Sequence, residues 1–234
     1  MYTVNLKTST NKEIFKSDGG VSEYYIKLII KEISECLNSN GISYYAGDDE
    51  PDKNFQDSSE SVTLTVEMSS SPGPLPGDQT GIYIFFNAGN SESKRLAEIF
   101  ENNIKNLYHS PQNVKIISNN SSTIDKIPKI TISVGYTDSP EDMEWLKNNI
   151  DFISKSTVAS LCEYFNIPFI GCESFQFGTA NSDAGIYDKP NLNSKIIGSI
   201  ELNSKVSVLG QWENWYVVGK NHKLGYIQTQ FINI

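Results

Sequence analysis

Apolar and polar positions alternate in different ways along the chain, and each period predicts an element. Residues Tyr2 to Leu6 read as a short strand. Between Val21 and Asn38, the residues Ile26, Ile29, Ile30, Ile33 and Leu37 fall on one face of a helical period, which predicts an amphipathic helix. Gly41 stands where a helix stop is expected, and Ile42 to Ala46 reads as a second strand. From Ser61 to Met68 the alternation is strict. Val62, Leu64 and Val66 lie on one side and Thr63, Thr65 and Glu67 on the other, the pattern of a half-buried strand. The segment Ser69 to Thr80 holds Pro72, Gly73, Pro74, Pro76 and Gly77 and reads as a loop. Gly81 to Asn87 is a strand whose unbroken apolar run, Ile82 to Phe86, implies burial on both faces. Ser91 to Leu107 is a helix, with Leu96, Ile99, Phe100, Ile104 and Leu107 on its apolar face. Val114 to Ile117 and Lys129 to Val134 are further strands. Ser139-Pro140-Glu141-Asp142 opens a helix, with Ser139 as cap, Pro140 in the first turn and Asp142 at capping-box spacing. A separate last helix is expected from about Phe152 to Phe165.

Strands separated by helices of this length predict an α/β domain over residues 1–172 with a largely parallel or mixed sheet. Gly171 to Asn181 reads as a linker. From Thr179 onward the helical period disappears. Short β-rich runs follow at Ile186-Tyr187, Ile196 to Ile200, Lys205 to Leu209, Trp215 to Val218 and Gly225 to Ile227, separated by Gly- and Asn-rich turns. Residues 179–234 are therefore expected to form a small all-β barrel.

Composition narrows the function classes. The chain has 234 residues, 38% hydrophobic and 20% charged, enough for a buried core. Its formal net charge of -9 repels phosphate backbones and anionic membranes, so neither nucleic acid nor a membrane surface is an expected partner. Much of that charge lies in Asp48, Asp49, Glu50, Asp52 and Asp57, read as a solvated loop. The three cysteines, Cys36, Cys162 and Cys172, are odd in number and far apart, and imply no zinc cluster and no disulfide framework. Cys36 and Cys162 sit on apolar helix stripes and read as small buried hydrophobes. Met1 to Thr10 lacks the basic and apolar regions of a signal peptide, and no stretch is long enough to span a bilayer.

The barrel segment resembles the bacterial SH3 (SH3b) domain. The resemblance rests on Ala184-Gly185-Ile186-Tyr187 with Pro190, then Ser194 to Gly198, Val206 to Gly210, Trp215 to Val218, and Gly225-Tyr226-Ile227. It implies a wall-targeting module that binds peptidoglycan peptides or packs on its partner domain. Tyr187, Trp212 and Tyr226 are the candidate binding aromatics. Trp212 is expected in a loop, and Trp215 in the barrel core.

Residues 1–170 resemble the zinc-dependent amidase-3 type of N-acetylmuramoyl-L-alanine amidase. The likeness rests on element order and on Gly19 to Glu23, Leu64 to Ser70, Ser93 to Ala97, and Ile132 to Tyr136 with Asp138, Glu141 and Asp142. In that family two histidines and a glutamate hold zinc, and a second glutamate is the general base; a bound water completes the open zinc site. The resemblance places the zinc glutamate at Glu23, one histidine within Lys7 to Asn11, the other at Glu67, and the base at Ser133. Only the glutamate is retained. The two histidines of the chain, His109 and His222, fall at none of these positions.

Two carboxylates without imidazole suit Mg²⁺ or Ca²⁺ better than zinc. Glu67 reads equally as a polar residue on an alternating strand, and Glu23 as a first-turn acid favoured by the helix dipole. Ser133 lacks the adjacent base a nucleophile needs. The expected function is a non-catalytic, amidase-like binding protein for peptidoglycan fragments or a protein partner, with no cofactor. The alternative is an active zinc amidase. Family resemblance places such proteins at the cell wall or outside the cell; without that resemblance the chain reads as cytoplasmic.

Overall fold

The computed structural model describes residues 2–8, 20–46, 60–69, 79–119, 126–172, 176–220 and 223–234. The acidic stretch Asp48 to Asp57, the Pro-rich residues 70–78, Ser9 to Asn11 and His222 lie outside the described residues.

Six strands form the first sheet: β1 (Thr3–Thr8), β2 (Ser43–Ala46), β3 (Ser61–Ser69), β4 (Ile82–Asn87), β5 (Val114–Asn119) and β6 (Lys129–Tyr136). Their order is β2-β1-β3-β6-β4-β5. All neighbours run parallel except β4 and β6, so the sheet is mixed. The helices α1 (Val21–Ser39), α2 (Ser91–Lys105) and α3 (Pro140–Phe165) join one face of this sheet in a single core. On α1, Ile26, Ile29, Ile33 and Leu37 are at most 1% exposed. Each such side chain contributes roughly 1.5–3 kcal/mol when fully buried. The strand residues in this core are Val4 and Leu6, Val62 to Met68 at alternate positions, Ile82 and Ile84, and Ile130, Ile132 and Val134.

One expectation changes here. Tyr83 and Phe85 are only half-buried, so β4 is not buried on both faces; its second face carries the two aromatic rings stacked 6.5 Å apart. The two expected C-terminal helices run end to end as α3 and meet at a kink at Asn149, whose φ of -128° is non-helical. The cause is local: the Asn149 Nδ2 donates to the Trp145 carbonyl at 2.7 Å, a side chain competing with the backbone ladder. The cap of α3 is half of the expected box. Asp142 N donates to Ser139 Oγ at 3.2 Å, but the Asp142 carboxylate turns inward instead of back to the cap. At the other end Asn166 is left-handed (φ 55°) and Ile167 N donates to Cys162 O, closing the helix.

The second sheet is antiparallel throughout: β7 (Gln176–Ala180), β8 (Ala184–Tyr187), β9 (Ile196–Ile200), β10 (Lys205–Trp212), β11 (Trp215–Lys220), β12 (Lys223–Gln228) and β13 (Ile232–Asn233), in the order β13-β7-β10-β11-β12-β8-β9. Strand β7 lies within the stretch expected to be a linker, so the barrel begins before Thr179. Trp212 ends β10, opposite Trp215, and is not in a loop.

Cys36 and Cys172 form a disulfide across 136 residues of sequence, while Cys162 is free and buried. This corrects the expectation of no disulfide framework and of Cys36 as a small buried hydrophobe, whereas Cys162 is buried as expected. The pairing arises because the chain after α3 folds back onto the C-terminal end of α1, a tertiary event with no local sequence signal. Among the described residues no helix is long and apolar enough to cross a membrane.

Candidate functional site

Two of the positions that the amidase resemblance singles out, Glu67 and Ser133, meet where β3 and β6 end. On β3, Val62, Leu64, Val66 and Met68 enter the core, which turns Thr63, Thr65, Glu67 and Ser69 to the opposite face. Glu67 lies in register with Ser133 on β6, and Ser133 in turn pairs with Tyr83 on β4. The strand register sets Glu67 and Ser133, two positions that the resemblance singles out, side by side.

Ser133 is fully buried, and its hydroxyl meets the Ser69 hydroxyl at 2.7 Å. It can also donate to the Gly135 carbonyl at 3.3 Å. Ser69 was not singled out by the sequence. It reaches Ser133 because the register shifts: between Glu67 and Ser69 the partner strand advances from Ser133 to Tyr136, one residue more than β3. This bulge centres on Gly135 (φ 134°), where a Cβ would stand 2.9 Å from the Asp142 Cβ. Only glycine fits both the dihedral and the space.

Asp142 anchors the bulge from beneath. Its carboxylate accepts from Tyr136 N at 2.9 Å, Gly81 N at 3.2 Å and the Tyr108 hydroxyl at 2.5 Å. Burial pushes its pKa above the usual carboxylate value, against the lowering pull of these three donors. Tyr136 packs edge-on to Tyr83 at 5.8 Å, and burial with Tyr83 beside it pushes its hydroxyl up to about 12. Tyr136 is therefore a neutral hydroxyl over the physiological range.

Glu23 sits in the first turn of α1 and pairs with Lys27, Oε1 to Nζ 2.6 Å, on the helix surface. His109 does not approach these groups; it contacts Glu141 at 2.6 Å beside the start of α3. A catalytic zinc needs three convergent, mostly imidazole donors and an open position. The residues at hand offer a lysine-paired glutamate, a second glutamate and a hydroxyl closed onto another hydroxyl. Among the described residues, no group of three or more His, Cys, Asp or Glu side chains could hold a metal ion. This donor set does not fit zinc.

In the barrel, Trp215, Val217 and Tyr226 form a buried cluster against which Ile170, Tyr187 and Trp212 pack. Trp215 is 5% exposed, as expected of a core residue. Tyr187 and Trp212 are half-buried and keep part of their surface. Tyr226 is 1% exposed and donates to the Asn40 carbonyl at 3.1 Å. Its ring faces the N-terminal domain, so it offers no binding surface in this arrangement. Asn40 was not anticipated from the sequence; a buried amide after a helix has no periodic signature.

Comparison with known proteins agrees with this division. Residues 182–233 match the bacterial SH3 domain family. The CwlD amidase of Clostridioides difficile, solved in complex with the GerS lipoprotein, superposes with a TM-score of 0.56 at 12% identity, covering 71% of this chain and 99% of that one. The catalytic domain of CwlV, an N-acetylmuramoyl-L-alanine amidase from Bacillus (Paenibacillus) polymyxa var. colistinus, gives 0.55 at 14% identity, covering 72% and 100%. An N-acetylmuramoyl-L-alanine amidase from Clostridium difficile 630 gives 0.54 at 16% identity, covering 70% and 97%. No curated protein matches the sequence significantly. The N-terminal domain has the fold of amidase-3 type enzymes, and the C-terminal domain is a bacterial SH3 domain.

Proposed function

We propose that this chain is a non-catalytic, amidase-like protein of the cell wall that binds peptidoglycan fragments and needs no metal. The observation that carries the reading is the closed Ser133–Ser69 pair. It occupies the position where the resemblance puts a general base, next to a glutamate where it puts a zinc histidine. A hydroxyl bonded to a hydroxyl, with no imidazole in contact, neither activates water nor holds zinc. The SH3 domain supplies the wall-directed half of the reading. Trp212 and Tyr187 keep accessible ring surface and are the residues proposed to contact ligand. The Cys36–Cys172 disulfide supports a setting outside a reducing cytosol.

A second reading, a protein partner in place of the wall, draws support from the CwlD neighbour having been solved with a lipoprotein bound. Sedimentation of the full chain with purified peptidoglycan separates the two. The wall reading expects retention that Trp212→Ala weakens, without release of new amino termini when zinc is added. Retention absent for the parent chain favours the protein-partner reading. Zinc-dependent cleavage of muramoyl-alanine bonds, lost in Glu23→Ala, overturns the non-catalytic proposal.

A further inference from the structure

The barrel does not hang from a free tether. The segment before it is fastened to the C-terminal end of α1 by three groups of contacts. Ile170 N donates to Asn40 Oδ1 at 2.8 Å, Asn40 Nδ2 donates to the Gly171 carbonyl at 2.8 Å, and Cys172 is bonded to Cys36. Asn40 has no exposed surface, and its Nδ2 also donates to the Cys36 carbonyl at 2.9 Å. The Cys162 thiol lies 3.7 Å from its Oδ1. Its amide is thus fully engaged with the helix end and the strap 170–172, and its carbonyl takes the Tyr226 hydroxyl from the barrel. One residue therefore touches the helix, the strap and the barrel.

The next residue lies at the same contact, and its positive φ favours glycine. Gly41 (φ 71°) lies under Val217 and Tyr226, and a Cβ there would stand 3.4 Å from Val217 and 3.6 Å from the Tyr226 ring. Ile170 of the strap packs into the same cluster as Trp215, Val217 and Tyr226. The aromatic face of the barrel is covered by its own N-terminal domain.

We propose that Cys36–Cys172 and Asn40 form a latch that holds the barrel with its Tyr226 face covered, and that reducing the disulfide uncovers this face. A dithiol supplies the two electrons and two protons. Its thiolate attacks the half-buried Cys172 sulfur and expels Cys36, and the mixed disulfide then resolves to leave two protein thiols and the oxidised reductant. Without the covalent tie, the strap is held by the Asn40 hydrogen bonds, the Ile170 contact and the packing of Cys172 against the N-terminal core. The face released is the one that carries Tyr226, so the latch sets which aromatic residues of the SH3 domain can meet a ligand.

The test uses the full chain, oxidised, reduced with dithiothreitol, and as Cys172→Ser. Tyrosine nitration by tetranitromethane, mapped by mass spectrometry, reads access to Tyr226. Hydrogen exchange at the Ile170 amide reads the strap, and far-UV circular dichroism reads the fold. The latch expects Tyr226 to be unmodified when oxidised and nitrated in both thiol forms. Ile170 exchange rises by about tenfold or more, with the far-UV spectrum unchanged. Equal protection of Tyr226 and Ile170 in all three forms overturns the proposal, because the contacts would then hold without the bond. Loss of the far-UV spectrum on reduction also overturns it, since the disulfide would then support the whole fold. Free thiols at Cys36 and Cys172 in protein prepared under oxidising conditions overturn it as well.

Discussion

Ser133→Glu would place a glutamate where the amidase resemblance expects the general base, and the closed strand end predicts that the protein resists it. Ser133 has no exposed surface, and its hydroxyl is committed to Ser69 at 2.7 Å. The neighbours in register are Glu67 on one side and Tyr83 on the other. A carboxylate there loses its hydration and faces a like charge, and both effects raise its folded-state pKa above the unfolded value of about 4.3. The group then retains a proton in the folded state over a range where the unfolded chain has lost it. Stability of the variant falls as pH rises from the unfolded to the folded pKa. A shift of roughly 2–3 units makes the variant lose about 2–3 kcal/mol between pH 5 and pH 8. The broken Ser–Ser hydrogen bond adds about 1 kcal/mol, and overpacking about 1–3 kcal/mol, at every pH. Thermal unfolding followed by circular dichroism at the two pH values reads the difference. For a chain of this size the pH-dependent part amounts to a Tm deficit growing by about 4–12 °C relative to the parent. A variant as stable as the parent at pH 8 would refute the reasoning. The strand end would then be open to water, and the enzymatic reading would regain its ground.

Removal of the disulfide by Cys36→Ser frees an unfolded-state loop spanning 136 residues of sequence. The chain-entropy account gives a loss of up to about 5 kcal/mol, read as a lower urea midpoint for the variant than for the oxidised parent. Asp142→Asn can keep its amide oxygen on the Tyr136 and Gly81 N–H groups but turns an NH₂ toward the Tyr108 hydroxyl and loses the charged acceptor, and is expected to cost about 1–3 kcal/mol at pH 7. Because burial raises the Asp142 pKa, this group favours the folded state as pH falls from its folded value toward 3.8; the variant lacks that gain, which urea midpoints between pH 4 and pH 7 would show.

What could be read from the sequence was local. The alternation at Ser61 to Met68 and the helical stripe from Ile26 to Leu37 gave their elements to within a residue or two, because burial on one face leaves a period in the chain. Strand β7 carries no such signal. Its inward residues are Gly178 and Ala180, small because Ile232 fills the space: a Cβ on Gly178 would stand 2.3 Å from the Ile232 Cγ2. The partner, not the strand, supplies the hydrophobic mass. The same holds for Tyr226. As an aromatic of the barrel its ring reads as a candidate binding surface, and contacts with Asn40 and Gly41 across the domain boundary add to its packing against Trp215 and Val217. At the candidate site, the resemblance singled out Glu67 and Ser133, but the Ser69 contact depends on a one-residue register shift at Gly135, which alternation alone cannot foresee.

The closed strand end and the covered barrel face bear on function together. An amidase cleft has to leave polar donors exposed and unsatisfied toward one another so that metal, water and substrate can satisfy them. Here those needs are met within the protein: Ser133 by Ser69, Glu23 by Lys27, and the bulge amide of Tyr136 by Asp142. On the non-catalytic reading proposed above, a site satisfied in this way gains stability at the expense of reactivity. The SH3 domain shows the same tendency, with its Tyr226 hydroxyl spent on Asn40. Trp212 and Tyr187 lie at the border of the same cluster and are half-buried. On the proposed binding role of those residues, ligand contact there would be coupled to the coverage of Tyr226. If the latch opens, Trp212→Ala should weaken wall retention less in the reduced protein than in the oxidised one, because the newly exposed Tyr226 face adds contact. An equal loss in both states would separate the binding surface from the latch.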